Sequence, residues 1–329
     1  MATLETQQLD EIIVNSRRKM LTMGGTALAA MLFAGTTKAH AQSAVTDNDI
    51  LNFALNLEYL EAQFYTLAVF GVTIDKLPTP IPISVNGGTG GKVTLSPTFS
   101  KVTFAMPNVA AYAMETAIEE GKHVTFLQGA LNSSAVSMPD IDLYNSFNTL
   151  AGAAGIGAAF NPFDNDADFL VGAYIFEDVG VTAYHGAAPL ISDKKNILPA
   201  AVGIHAVEAY HAGLIRTTIN AIDTSNKNTA LSSLTQKISA ARSSLANPKG
   251  ATTTTYAGTM ADDIGVETIQ VDLTGAAGSG AFTSSTIVDC DSNSLGFGRS
   301  TTQILAIVTG GSANNQGVFF PGGLNGTIK

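Results

Sequence analysis

The chain has 329 residues, with 17 Lys and Arg against 27 Asp and Glu, a net charge of −10 and only 13% charged residues. A weakly charged, net acidic chain argues against nucleic-acid binding and against adhesion to an anionic membrane. Its one cysteine, Cys290, excludes an internal disulfide and any cysteine-based zinc or iron–sulfur site.

Ser16-Arg17-Arg18-Lys19-Met20 is a twin-arginine signature. A mildly apolar run, Met20 to Phe33, follows it, and Ala39-His40-Ala41 forms an A-x-A cleavage site before Gln42. The run is too short and too rich in Gly and Thr for a membrane anchor. Residues 1–41 therefore read as a twin-arginine signal peptide, and the mature chain is expected in the periplasm or outside the cell.

Residues 47–70 have helical periodicity, with Asp47 or Asp49 as the cap. Residues 71–107 read as an insert: Pro78, Pro80 and Pro82, then a Gly-rich run, then the β-prone Lys92-Val93-Thr94-Leu95, which suggests a short hairpin. Residues 108–131 are helical again, capped by Asn108, and 133–163 form a long crossover. A third helix is expected over about 164–187, a fourth over about 195–222 and a more polar fifth over about 226–246. Residues 42–247 thus form a helical domain, and 248–329 a Gly/Ser/Thr-rich extension packed on it. Within the extension, 301–309 fits a short helix or a strand equally well. The Gly-rich stretches at 87–91 and 276–280 are not phosphate loops, for no Ser/Thr-opened helix follows Lys92.

Two Glu-x-x-His pairs stand out, Glu120/His123 and Glu208/His211. After residue 41 the chain has four His and eight Glu, and chance placement would give only about 0.1 such pairs. Positions i and i+3 share a helix face, so each pair can grip one metal ion. The first and third helices carry a matching pattern: Leu51, Ala54, Glu58, Tyr65 and Leu170, Ala173, Glu177, Tyr184, with the same offsets. Glu58 and Glu177 therefore lie on apolar stripes, where an unpaired carboxylate is costly and a metal ion removes the cost. Glu61 lies near the same face as an extra ligand or a rim residue. Tyr65 and Tyr184 would be hydrogen-bond or redox partners, or plain core aromatics. His185 can stand beside the site or simply close a helix, and Asp178 can orient an imidazole. His205 reads as structural.

These motifs resemble the ferritin-like superfamily, and within it the exported ferritin-like-domain proteins related to plant desiccation-related proteins. Leu57-Glu58-Tyr59-Leu60-Glu61-Ala62-Gln63-Phe64-Tyr65 is similar to that group's first-helix motif, and Val207-Glu208-Ala209-Tyr210-His211-Ala212 to its fourth. The tail, from Phe297-Gly298-Arg299-Ser300-Thr301 to Phe319-Phe320-Pro321-Gly322-Gly323-Leu324-Asn325-Gly326, resembles the group more loosely. The resemblance implies a mainly α fold, a left-handed up-down-down-up four-helix bundle with a long crossover. It implies two metal ions, iron or manganese, held by Glu58, Glu120 and His123 on one side and by Glu177, Glu208 and His211 on the other, with Glu120 and Glu208 as bridges. The function expected from it is redox chemistry on peroxide, dioxygen or Fe(II), in oxidative or desiccation stress. A non-catalytic, stress-protective metal protein is the alternative, and iron storage a second. The partners are then a small oxidant or a metal ion, without nucleic acid or a stable membrane anchor; assembly into a homo-oligomer stays open.

Overall fold

A computed structural model describes residues 45–248, 252–255, 258–261, 263–272, 281–291 and 293–329. The twin-arginine signature, the cleavage site and the Gly-rich stretch at 276–280 lie outside the described residues. Four long helices carry the fold: α1 (Asp47–Phe70), α2 (Pro107–Leu131), α4 (Asp166–Ala187) and α5 (Ile197–Asn226). A shorter α3 (Asn145–Ala153) lies in the crossover, and α6 (Ala230–Ala246) and α7 (Thr301–Val308) follow the bundle. Among the described residues, no helix is long and apolar enough to cross a membrane.

Contacts between the helices give their directions. Asn52, early in α1, donates to Ser134 O just beyond α2, while Val102 N before α2 reaches Ala68 O late in α1. Tyr65 of α1 meets Glu177 of α4, and Glu58 meets Tyr184. His205 faces the carbonyl of Val181, and Arg216 reaches back to Asp178. α1 is therefore antiparallel to both α2 and α4, and α4 to α5, which makes the bundle up-down-down-up. The centre of one half is a cluster of aromatic rings. Phe64 stacks on Phe169 at 5.7 Å and also meets Phe147, Phe163 and Phe176. Fully burying one such ring contributes about 1.5–3 kcal/mol.

Several local details differ from the sequence-based expectation. Thr46 caps α1 in a capping box with Asp49, while Asp47 turns outward to hold Ser192 and Asp193. Asn108 falls inside the first turn of α2, because Pro107 takes the first helical position, where its missing N–H costs nothing. The insert does not fold back on itself as a hairpin. Strand β1 (Val93–Thr94) pairs in parallel with β2 (Ile141–Asp142) of the crossover, so the insert is stitched to a segment that follows it by a whole helix. Phe99 and Phe104 of the insert lie edge-on against Phe163 and Phe169.

The tail is built into the same unit as the bundle, which spans Val45–Lys329. Residues 301–308 form a helix, with Ser300 and Gln303 closing a capping box. Two antiparallel pairs precede it, β3 (Thr252–Thr255) with β4 (Gly258–Ala261) and β5 (Glu267–Asp272) with β6 (Ala281–Thr286). The tail backbone lies directly on α4: Arg299 N donates to Thr182 O at 2.9 Å, and a Cβ on Gly186 would collide with the Arg299 carbonyl. Phe319 packs on Phe147 and Phe176, and Asn325 exchanges two 2.9 Å hydrogen bonds with the buried Asn56. A buried ion network, in which Arg242 joins Asp178 of α4 to Asp263 and Arg299 joins Asp263 as well, completes the attachment.

Candidate metal centre

The Glu-x-x-His pairs of α2 and α5 face each other across the bundle axis, and the single glutamates of α1 and α4 close the cluster. His123 Nδ1 lies 3.1 Å from Glu58 Oε2, 3.3 Å from Glu120 Oε2 and 3.5 Å from Glu208 Oε1. His211 Nδ1 lies 3.1 Å from Glu120 Oε1 and 3.3 Å from Glu177 Oε2. Two four-residue groups result, Glu58/Glu120/His123/Glu208 and Glu120/Glu177/Glu208/His211; within each, the candidate donor atoms all lie within 4.8 Å of one another. Glu120 and Glu208 belong to both groups. The two imidazole rings stand 6.5 Å apart. All six side chains are buried.

The tyrosines are wired crosswise. Tyr65 of α1 donates to Glu177 Oε1 of α4, and Tyr184 of α4 donates to Glu58 Oε1 of α1. Each half of the duplicated pattern thus orients the other half's carboxylate. Glu119, which the helical wheel turns toward the edge, reaches over the α2–α5 seam, and His211 Nε2 meets its Oε2 at 2.7 Å. That bond occupies Nε2 and points Nδ1 inward. Its only sequence trace is a second carboxylate next to Glu120. Asp178 orients no imidazole; it pairs with Arg216 at 2.8 Å and Arg242 at 2.9 Å. His185 is exposed and lies against His205, ring centroids 5.8 Å apart, rather than against the carboxylates.

A family model described as the ferritin-like domain matches residues 46–221, more than half of the chain. The chain belongs to the ferritin-like family. It is 31% identical over 179 residues to the desiccation-related protein PCC13-62 of Craterostigma plantagineum, an alignment covering 52% of each chain, so it spans about half the length of that relative. It is 23% identical over 292 residues to the ferritin-like catalase Nec2 of Nesocodon mauritianus, covering 86% of this chain and 84% of that one. No solved structure matches it.

The ferritin-like cluster fits metal ions on two counts. Glu120 Oε1, Glu177 Oε2, both Glu208 oxygens and His211 Nδ1 are buried without a well-directed hydrogen bond, although they crowd one another. Buried polar atoms without a partner are rare, and here they converge. The second count is charge: the four carboxylates of the two groups balance two divalent cations, whereas otherwise they would repel one another in a buried site. The donor set of carboxylate and imidazole suits iron, manganese or zinc rather than a thiophilic ion.

Glu61 is a fifth buried carboxylate beside this set. A Cβ on Gly180 would collide with Glu208 Oε2 but only touch Glu61 Oε1 at 3.5 Å, so the glycine makes room for Glu208. Gly180→Ala should therefore move Glu208 and weaken metal binding about 10–100-fold. The metal-free variant should be no less stable than the parent, because alanine favours the helix by about 0.5–1 kcal/mol. Competitive metal titration and a thermal melt test the pair of effects; unchanged metal affinity would remove Gly180 from the design.

Electrostatics gives a signed pH prediction. Burial disfavours the His123 cation, but Glu58 and Glu120 outweigh it and hold its pKa up at about 11; Glu177 and Glu120 likewise hold His211 up at about 12. Burial, only partly opposed by His123, raises Glu58 to about 7. Burial opposes ionisation of Glu120 as well, but the two imidazoles beside it, His123 and His211, hold it below the usual carboxylate range. The folded pKa values of the two histidines exceed the unfolded value of about 6.5, so their contribution is complete below that pH and drains away as pH rises toward the folded values. Glu58 behaves in the same sense over roughly pH 4.5–7, whereas Glu120 stabilises above its unfolded value and loses that only in acid. Metal needs these ligands deprotonated, so its affinity rises with pH. Between about pH 6 and 9 the metal-free Tm should fall and the metal-loaded Tm should rise; parallel melting curves would contradict this account.

Proposed function

We propose that the chain carries two redox-active metal ions, iron or manganese, and uses them to break down hydrogen peroxide during oxidative or drying stress. The observation that carries this reading is the pair of buried Glu/His groups sharing Glu120 and Glu208. The likeness to a protein named a ferritin-like catalase favours peroxide over other oxidants. Glu58, Glu120 and His123 would hold one ion and Glu177, Glu208 and His211 the other, with Glu120 and Glu208 between them. Bound there, the ions supply reversible changes of oxidation state side by side.

The protein's own groups do the rest. Tyr65 and Tyr184 fix the outer carboxylates of Glu177 and Glu58, and Glu119 fixes the tautomer of His211. In the metal-free cluster, burial and the neighbouring Glu120, Glu58 and Glu177 push Glu61 well above the usual carboxylate range, and its carboxyl group, beside the ligand set, is the one we assign to proton transfer. The apolar helix faces exclude water from the site.

Elemental analysis with oxygen evolution from peroxide tests the proposal. The expected result is two metal ions per chain and oxygen release far above that of the free ions. Metal without turnover, together with a Tm that collapses on chelation, would favour the protective reading, which the desiccation-related relative motivates. No metal at all would sink both. We also propose export in the folded state; a mature chain starting at Gln42 in the periplasmic or secreted fraction is the expected outcome.

A further inference from the structure

One end of the bundle holds a funnel of about 250 Å3 between α1, α2, the end of α4 and the start of α5. Its rim is Phe126, Ala130 and Asn196, all exposed, and Tyr184 lies on its buried floor. None of its lining residues is charged. Leu127 and Ile204 of its wall stand one helical turn from His123 and Glu208, so the funnel ends beside the metal centre. Phe126 is 49% exposed at the mouth, where an apolar occupant would cover it.

The lining specifies the occupant. A dry apolar cavity of about 150 Å3 already accepts benzene, so 250 Å3 admits one substituted ring. The Tyr184 hydroxyl gives its proton to Glu58, which leaves its oxygen only able to accept. A hydrocarbon would suit the walls but not that oxygen; an uncharged ring bearing an O–H suits both. We infer that this funnel binds a single-ring phenol, which takes the place of a second peroxide molecule as the reductant of the peroxide chemistry, an inference that rests on the function proposed above. The balance is two phenols for each peroxide. Each phenol loses one electron and one proton and leaves as a phenoxyl radical; the peroxide O–O bond breaks, and the two oxygens leave as two waters. Tyr184, between the funnel and Glu58 Oε1, is the route for the proton.

Phenol and benzene are titrated by calorimetry onto the purified protein, with and without prior chelation, and peroxide-dependent phenol oxidation is followed optically. The wild type should bind one phenol per chain whether or not it is chelated. Ala130→Trp, an exposed rim change that fills the mouth, should weaken phenol binding by about tenfold or more while the metal content stays at the wild-type level. Tyr184→Phe keeps the ring and should weaken phenol, but not benzene, by about fivefold or more. Failure of the wild type to bind phenol, or equal binding by Ala130→Trp, overturns the site. Binding without peroxide-dependent oxidation by metal-loaded protein overturns the co-substrate role. A protein that binds phenol but contains no metal overturns the peroxide reading and leaves the phenol site standing.

Discussion

Glu120→Ala should strip both metal ions from the chain, whereas Glu58→Ala should remove only one. Glu120 belongs to both four-residue groups, and Glu58 to one. A four-ligand metal site is worth on the order of 10–16 kcal/mol, so one ligand carries about 3–4 kcal/mol, a 100–1,000-fold loss of affinity. Glu120 removes that from each ion at once and also leaves His123 and His211 without a shared carboxylate. Metal content after dialysis should fall from two per chain to nearly none in Glu120→Ala and to one in Glu58→Ala. Peroxide turnover should vanish in the first. Retention of one ion by Glu120→Ala would end its role as a shared ligand.

Arg242→Ala should destabilise the fold by about 3–5 kcal/mol, the cost of leaving partners of a buried ion pair unmatched. Arg242 is buried, donates to Tyr174 O and to Asp178 and Asp263, and lies over the Tyr174 ring at 4.7 Å. Its loss exposes two buried carboxylates to each other with less compensation. Arg242→Lys should recover only part of the loss, since an ammonium cannot span two acids as the planar fork does. Urea unfolding supplies the measurement, with Ser233→Ala, an exposed change on the same helix, as a control expected within about 0.5 kcal/mol. A loss below about 1 kcal/mol for Arg242→Ala would mean that the tail is held mainly by its apolar contacts.

Sequence periodicity made the helices of the bundle legible because each has a long apolar face facing the core. The convergence of Glu58, Glu120, His123, Glu177, Glu208 and His211 was legible for a related reason: a carboxylate placed on an apolar stripe twice over needs a common partner. What escaped was set by contacts distant in sequence. Glu119 sits on the helix edge, and only the neighbouring α5 turns it into a partner of His211. β1 reads as half of a hairpin because its true partner, β2, lies beyond α2. The choice of Thr46 over Asp47 as cap depends on Ser192 and Asp193, which claim Asp47 for another purpose. The arginine network has no local pattern, since Asp178, Arg242, Asp263 and Arg299 come from separate segments.

The bond between Asn56 and Asn325 governs the order in which the protein can be built during synthesis. Asn56 emerges from the ribosome early, in the middle of the first core helix, and its partner is 269 residues behind it. Until then its amide has only the carbonyl of Asn52 in its own helix, and the surface of Phe147 and Phe176 that awaits Phe319 also stays uncovered. At ordinary elongation speeds of about 5–20 residues per second, that interval lasts roughly 13–54 seconds. The tail therefore closes over a bundle whose helices are already synthesised, and Asn56 and the Phe147–Phe176 surface receive their last partners only after it has left the ribosome.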